Sequence, residues 1–258
     1  IHSGDDALRA VEQAKQAGFD NFNLDLMHGL PDQTLDAALA DLQQALDLNP
    51  PHLSWYQLTI EQNTEFFRHP PALPEDEALW EIQLAGADLL KQHNRQQYEV
   101  SAFALPGREA QHNLNYWRFG DYLGIGAGAH GKVSCLEGKV GSKDVLTELS
   151  VHRYRKTRMP KDYLAASYNL QPQASLRIGE ELIQPQDLPF EFLMNALRLS
   201  KGVEENIFTL RTGLSLDTLE PQLSKLRQQG LIESKHLGTT EKGLLFLNNI
   251  LEKFTDLE

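Results

Sequence analysis

The residues best equipped for chemistry lie between His112 and Gly131: His112-Asn113-Leu114-Asn115-Tyr116-Trp117, then Tyr122, Gly124, Gly126, Gly128, Ala129, His130 and Gly131. An imidazole, two amides, two phenols and an indole stand directly before four closely spaced glycines. Polar aromatics followed by backbone that can be approached closely predict a wall and floor for a flat or phosphate-bearing ligand. His112 and Tyr116 are four apart, so on a helix they share a face, with Asn113 and Trp117 on the adjacent one. A neutral imidazole is a common metal ligand, and the aromatics could cover a planar ring. The plainer alternative packs Tyr116 and Trp117 into a core and leaves His112 in water.

Asp25 is a second candidate, a carboxylate on the polar face of an otherwise apolar strand and near that strand's carboxyl end. Buried unpaired it would cost several kcal/mol, so it must find a ligand or accept N–H bonds from the Gly29-Leu30-Pro31 turn. Gly126-Ala-Gly128-Ala-His130-Gly131 matches the spacing of a dinucleotide fingerprint. However, the following residues read as strand and then, at Gly138-Lys139-Val140, as turn, where pyrophosphate binding needs a helix N-terminus. The remaining histidines are scattered without zinc spacing. No nucleophile elbow or phosphate loop is present, and the pairs Asp5-Asp6 and Glu180-Glu181 read as helix starts and solvated turns.

Around these residues the chain alternates helix and strand patterns. Ser3 with Asp6 forms a capping-box signature before Leu8, Val11 and Ala14, and Gly18 ends that helix. Phe22, Leu24 and Leu26 alternate with polar residues as a strand, and Thr34 or Asp32 opens a helix through Leu46. Leu53–Ile60 reads as a second strand, and Leu79, Ile82, Leu89 and Leu90 as the inner face of the next helix. Tyr98–Leu105 is a third strand and Tyr122–Ile125 a fourth. Strands separated by helices predict a parallel α/β sheet, with function gathered at the strands' carboxyl ends. Past Pro185 the pattern becomes helix, helix (206–212), helix (216–229), hairpin (231–240), helix (241–254), the order of a winged-helix module. The expected domains are therefore 1–135, a connecting segment 136–184, and 185–258.

The 258 residues carry a net charge of −12, against a nucleic-acid surface, and residues 203–258 hold six Lys/Arg against nine Asp/Glu, against a duplex-binding wing. No apolar run is long enough to span a membrane and no secretory leader is visible, so a soluble cytoplasmic protein is expected. One cysteine, Cys135, excludes an intrachain disulfide and a cysteine-rich metal cage within these residues. The chain opens at Ile1 rather than Met, which reads as an excised or processed piece.

The run Leu24-Asp25-Leu-Met-His-Gly29-Leu-Pro31-Asp-Gln33-Thr34 resembles the radical S-adenosylmethionine (SAM) proteins related to oxygen-independent coproporphyrinogen III oxidase. The segments Leu53–Glu61, Tyr98–Gly107 and His112–Gly131 are similar to the HemW-like heme-chaperone branch of that family. The resemblance spans essentially the whole chain. It implies an incomplete (β/α) barrel with a [4Fe-4S] cluster and SAM at its mouth, followed by a small C-terminal α+β winged-helix-like domain. It also implies SAM contacts at Asp25, Thr59, Ala129 and His130, and a heme site at His112, Asn113, Tyr116 and Trp117, with His112 a possible heme-iron ligand. Heme is then cargo, passed to client heme proteins such as respiratory enzymes. The family's three cluster-binding cysteines are absent from this chain, and no catalytic residue is assigned. Open barrel edges imply a covering neighbour or a possible homodimer. The competing readings are a true oxidase decarboxylating coproporphyrinogen III, and an interaction module alone.

Overall fold

The computed structural model describes residues 3–137, 148–168 and 177–255. The chain divides into two compact units, Ile1–Ala110 and Gln111–Glu258.

In the first unit Ser3 caps α1 (Gly4–Gln16): its hydroxyl accepts from the Asp6 N–H, while the Asp6 carboxylate accepts from the Ser3 N–H at 2.8 Å. This is the reciprocal box expected from the sequence. The chain turns through Gly18 at φ +89° into β1 (Asn23–His28). Thr34, not Asp32, caps α2 (Leu35–Asp47). Then come β2 (His52–Gln57), α3 (Glu65–Arg68), α4 (Asp76–Gln92), β3 (Gln96–Glu99) and β4 (Ala102–Ala104).

The sheet order is β1-β2-β4-β3. Only β1 and β2 run parallel; β4 is antiparallel to both of its neighbours. The all-parallel expectation and the single strand Tyr98–Leu105 are thus corrected. Glu99 is responsible: its Oε1 accepts from both the N–H and the hydroxyl of Ser101 at 3.0 Å, reversing the chain without a glycine or proline. Helices α2 and α4 lay Ala38, Leu42, Leu46, Ile82 and Leu90 against Leu53, Trp55 and Phe103 of the sheet.

In the second unit α5 (Gln111–Trp117) leads to β5 (His130–Glu137), β6 (Glu148–Lys156), α6 (Pro160–Tyr168) and β7 (Arg177–Leu182). The three strands form an antiparallel sheet in the order β5-β6-β7. The stretch 136–184, expected to connect two domains, therefore supplies two strands and a helix. Glu180 and Glu181 lie on β7 rather than at a helix start or turn. Tyr122–Ile125 is not a strand: Tyr122 makes one isolated bridge to Lys132, and Leu123 and Ile125 are 74% and 84% exposed. With no layer facing them, these two side chains gain nothing from pairing. The turn expected at Gly138–Val140 lies outside the described residues.

The unit continues through α7 (Leu188–Ala196), β8 (Val203–Glu204), α8 (Glu205–Thr212), a 3-10 turn (Leu216–Leu219), α9 (Gln222–Gln228), β9 (His236–Leu237), α10 (Glu241–Leu244) and α11 (Leu247–Leu251). The helix expected over 216–229 is split at Pro221, which lacks the N–H a continuous helix requires. That expected over 241–254 is split after Leu244. The hairpin forms, Glu233 N–H donating to the Gly238 carbonyl at 2.9 Å, although β9 pairs with β8. Phe192 packs edge-on against Phe119 and Phe208, with ring centroids 5.7 and 5.2 Å away.

Candidate functional site

Helix α5 sets His112 and Tyr116 one turn apart, and both are exposed. Their rings meet edge to face at 6.2 Å, and Tyr116 meets Tyr122 likewise at 4.7 Å. The helix ends because Phe119 turns left-handed, at φ +54°, and the Gly120 N–H closes onto the Asn115 carbonyl at 2.7 Å. That turn buries Phe119 completely and leaves Tyr116 outside, so the expected core aromatic is Phe119 and not Tyr116. Trp117 is half-buried, with the Arg198 guanidinium 4.5 Å from its ring and its indole Nε1 sealed from solvent without a hydrogen-bond partner. An indole N–H is donor-only and usually finds an acceptor when buried. Asn113 is half-buried beside them.

Behind this shelf lies a cleft of about 220 Å³ lined by Tyr116, Trp117, Phe119, Tyr122, Lys132, Arg153 and Asn195. Lys132 enters from β5 almost wholly buried. Its ammonium donates to the Phe119 carbonyl at 3.0 Å and to Asp121 Oδ1 at 3.3 Å, and stands 4.0 Å over the Phe119 ring. Burial pulls the Lys132 ammonium below its ordinary pKa, opposed by Asp121. Burial pushes Asp121 upward, but hydrogen bonds from Ser134 and the Lys132 charge hold it below the usual carboxylate value. Burial also raises the Tyr122 phenol. Arg153 spends its fork on both carboxylate oxygens of Glu191. The cleft's two cations are thus neutralised internally, and its free surface is aromatic.

His130 begins β5 in this same unit, and Ala129 directly precedes it. The Ala129 carbonyl accepts from Lys156 N–H at 2.8 Å, and the His130 side chain is exposed. The glycines serve internal packing. A side chain at Gly131 would strike the Tyr154 ring and one at Gly124 the His130 backbone, while Gly126 and Gly128 hold φ of +109° and +75°. As the sequence reading required, no helix follows them. Asp25 and Thr59 belong to the first unit. Asp25 lies in mid-strand opposite Ser54, exposed, three residues short of the end of β1. Its Oδ1 accepts from the Asn23 amide at 2.9 Å, and among the described residues no hydrogen bond reaches Oδ2. The Gly29 and Leu30 N–H groups, its alternative partners in the sequence, are taken by Gln33 Oε1. Thr59, exposed just past β2, donates to Glu61 at 3.0 Å.

Sequence reasoning missed Lys132, Arg153 and Asn195 of the cleft. The signal was present at strand spacing, with Lys132 directly across from Arg153 in the β5–β6 ladder, but periodicity does not identify which strands pair. It also missed His52, which is buried between the Asn23 amide oxygen at 2.6 Å and the Tyr98 hydroxyl at 2.7 Å and ties β1, β2 and β3 together.

The chain is 48% identical over 256 residues to "Heme chaperone HemW" of Escherichia coli, matching 98% of this chain and 63% of that protein. The chaperone of the same name in Haemophilus influenzae is also 48% identical, over 98% of this chain and 62% of its own length. The likeness to these HemW proteins runs through nearly the whole of this chain. A Bacillus subtilis HemW is 31% identical, over 98% of this chain and 64% of its own. The chain therefore spans less than two thirds of the length of these HemW relatives. Residues 183–246 match the HemN C-terminal domain. Among solved structures, coproporphyrinogen III oxidase (HemN) from Escherichia coli, described as a radical SAM enzyme, matches 98% of this chain and 59% of its own at a TM-score of 0.70. At 18% identity this likeness establishes a shared α/β fold.

Proposed function

We propose that this chain carries the heme-contacting part of a heme chaperone, with α5 as the cargo shelf. The observation that carries the reading is an exposed imidazole one helical turn from an exposed phenol, continuous through Tyr122 with an aromatic cleft. His112 would offer a ring nitrogen to the iron, Tyr116 and Tyr122 would line one edge of the macrocycle, and the Trp117 ring and Asn113 amide would flank it. Heme is bound here and released to client heme proteins, respiratory enzymes among them. The name shared by the relatives supports this, as does an identity to them well above that to the oxidase.

The family implies a [4Fe-4S] cluster and SAM. This chain does not fit the cluster: such clusters take protein thiolates, and the sole cysteine is the exposed Cys135 on β5. No step is drawn through it. Asp25 fits SAM better, since its exposed Oδ2 can accept from sugar hydroxyls, with Thr59 in the same unit. SAM when bound supplies the sulfonium chemistry of its family, and these residues would orient it. In this reading the first unit is part of an incomplete barrel and residues 185–258 form the winged-helix-like domain. No helix among the described residues is long and apolar enough to cross a membrane; a cytoplasmic location and a homodimer belong to the proposal.

Hemin titration followed at the Soret band tests the reading. The chain should bind saturably, and His112→Ala should weaken binding about tenfold or more, about 1.4 kcal/mol, with a shifted Soret maximum. Equal affinity and an unmoved maximum in the variant would remove His112 as ligand.

A further inference from the structure

Residues 153–161, Arg153-Tyr-Arg155-Lys156-Thr-Arg158-Met-Pro-Lys161, hold five cations and no carboxylate in a chain of net charge −12. Structure turns this run into a concave surface. Arg155 stands in lateral register with His130 of β5 and Gly179 of β7, so the three share one face of the sheet. Gly179 leaves the space beside Arg155 open; a Cβ there would come within 3.1 Å of its Nε. The result is a cleft of about 450 Å³ lined by His130, Arg153, Tyr154, Arg155, Gly179, Glu180 and Glu181. A second, of about 350 Å³, is lined by His130, Arg155, Lys156, Thr157, Arg158 and Met159. Adjacent strand residues Arg155 and Lys156 both reach it because the β6–β7 pairing shifts register between them.

Most cations of this surface lack an internal counter-ion among the described residues. Arg153 is occupied by Glu191, and Glu180 faces His152 at 3.5 Å. Among the described residues, no carboxylate closes an ion pair with Arg155, Lys156 or Arg158. The surface is also held in place: Gly128 N–H donates to the Thr157 carbonyl at 2.6 Å, Lys156 N–H to the Ala129 carbonyl, and Gly126 N–H to the Tyr163 hydroxyl at 3.0 Å.

We propose that His130, Arg155, Lys156 and Arg158 form a carboxylate-binding groove for a small polycarboxylate ligand. Two guanidiniums present planar donor forks matched to carboxylates, with lysine and histidine beside them. Glu180 and Glu181 on its rim oppose an extended polyanion, which favours a compact ligand over a nucleic acid or a lipid surface. Arg153 lines both this groove and the aromatic cleft behind α5, so the two adjoin. Where the heme reading above holds, on which this extension rests, the groove takes the propionates of a porphyrin whose ring lies on the aromatic side.

The experiment compares hemin, its dimethyl ester, propane-1,2,3-tricarboxylate and inorganic phosphate as ligands of the chain and of Arg155→Gln/Arg158→Gln. Both arginines are exposed, and circular dichroism checks the fold. The wild type should bind hemin about tenfold more tightly than the ester, a preference the double variant loses without a change in Soret maximum. Arg155→Lys/Arg158→Lys should restore part of it. Tricarboxylate should bind the wild type, weaken with added salt, and be lost in the double variant. Tricarboxylate binding that survives the double substitution, or phosphate binding as tight as tricarboxylate, would overturn the groove. Tricarboxylate binding with no saturable hemin binding would leave the groove standing and overturn the heme reading alone.

Discussion

His28 is 1% exposed, tilted against Trp55 with ring centroids 4.2 Å apart, and neither ring nitrogen closes a hydrogen bond. Burial lowers its pKa from the ordinary 6.5; the nearby Gln83 amide opposes that shift without completing a bond. A base whose folded pKa is depressed binds fewer protons folded than unfolded. Its contribution to stability is therefore complete above about pH 6.5 and is lost as the pH falls toward the folded value. The urea midpoint should drop between pH 7.5 and 5, and His28→Leu should flatten that drop. Parallel pH profiles for the two proteins would show that another group is responsible. At this same scale the sequence singles out the α5 residues because imidazole, phenol and indole are recognisable by type. Of the two partners the sequence leaves open for Asp25, the turn N–H groups are removed by Gln33, which nothing in Gly29-Leu-Pro31 reveals.

Elements were legible where a local side chain makes the signal. Ser3 with Asp6 places the start of α1 in both sequence and structure, and of the two caps the sequence offers for α2, Thr34 and Asp32, the structure uses Thr34. The β3–β4 reversal was hidden because its signal is one carboxylate, Glu99, bonding two residues ahead in a run that otherwise alternates like a single strand. The β5–β7 sheet was hidden because pairing at long range leaves no local mark. Helix α4 depends on Gly86 in a way the sequence also conceals. An added Cβ there would lie 1.7 Å from the Trp55 ring, backed by a sealed core. Gly86→Ala should destabilise the first unit by about 1–3 kcal/mol or more through overpacking, despite alanine's better helix propensity. A denaturation midpoint equal to or above wild type would refute this.

Among the described residues each unit has an apolar cluster of its own, around Leu42, Trp55 and Phe103 in the first and around Phe119, Phe192 and Phe208 in the second. Separate cores permit separate unfolding. Leu42→Ala, costing about 2–5 kcal/mol, should advance the loss of Trp55 and Trp80 signals and leave Trp117 behind. Phe192→Ala, about 3–5 kcal/mol, should do the reverse. A single transition moved equally by both substitutions would mean that the units melt as one. The alternation of helix and strand announced an α/β chain, and the break in character near Pro185 announced a change of architecture. The contact boundary falls instead at Ala110–Gln111, because β5, β6 and β7 pair with one another.

Lys132 carries a last practical consequence. With its amine capped by a carbonyl, a carboxylate and the face of Phe119, it is shut away from acylating reagents that reach the exposed Lys161 freely. A timed acetylation map read by peptide mass should therefore report Lys132 last, making it a built-in gauge of when the aromatic lining of the second unit comes apart.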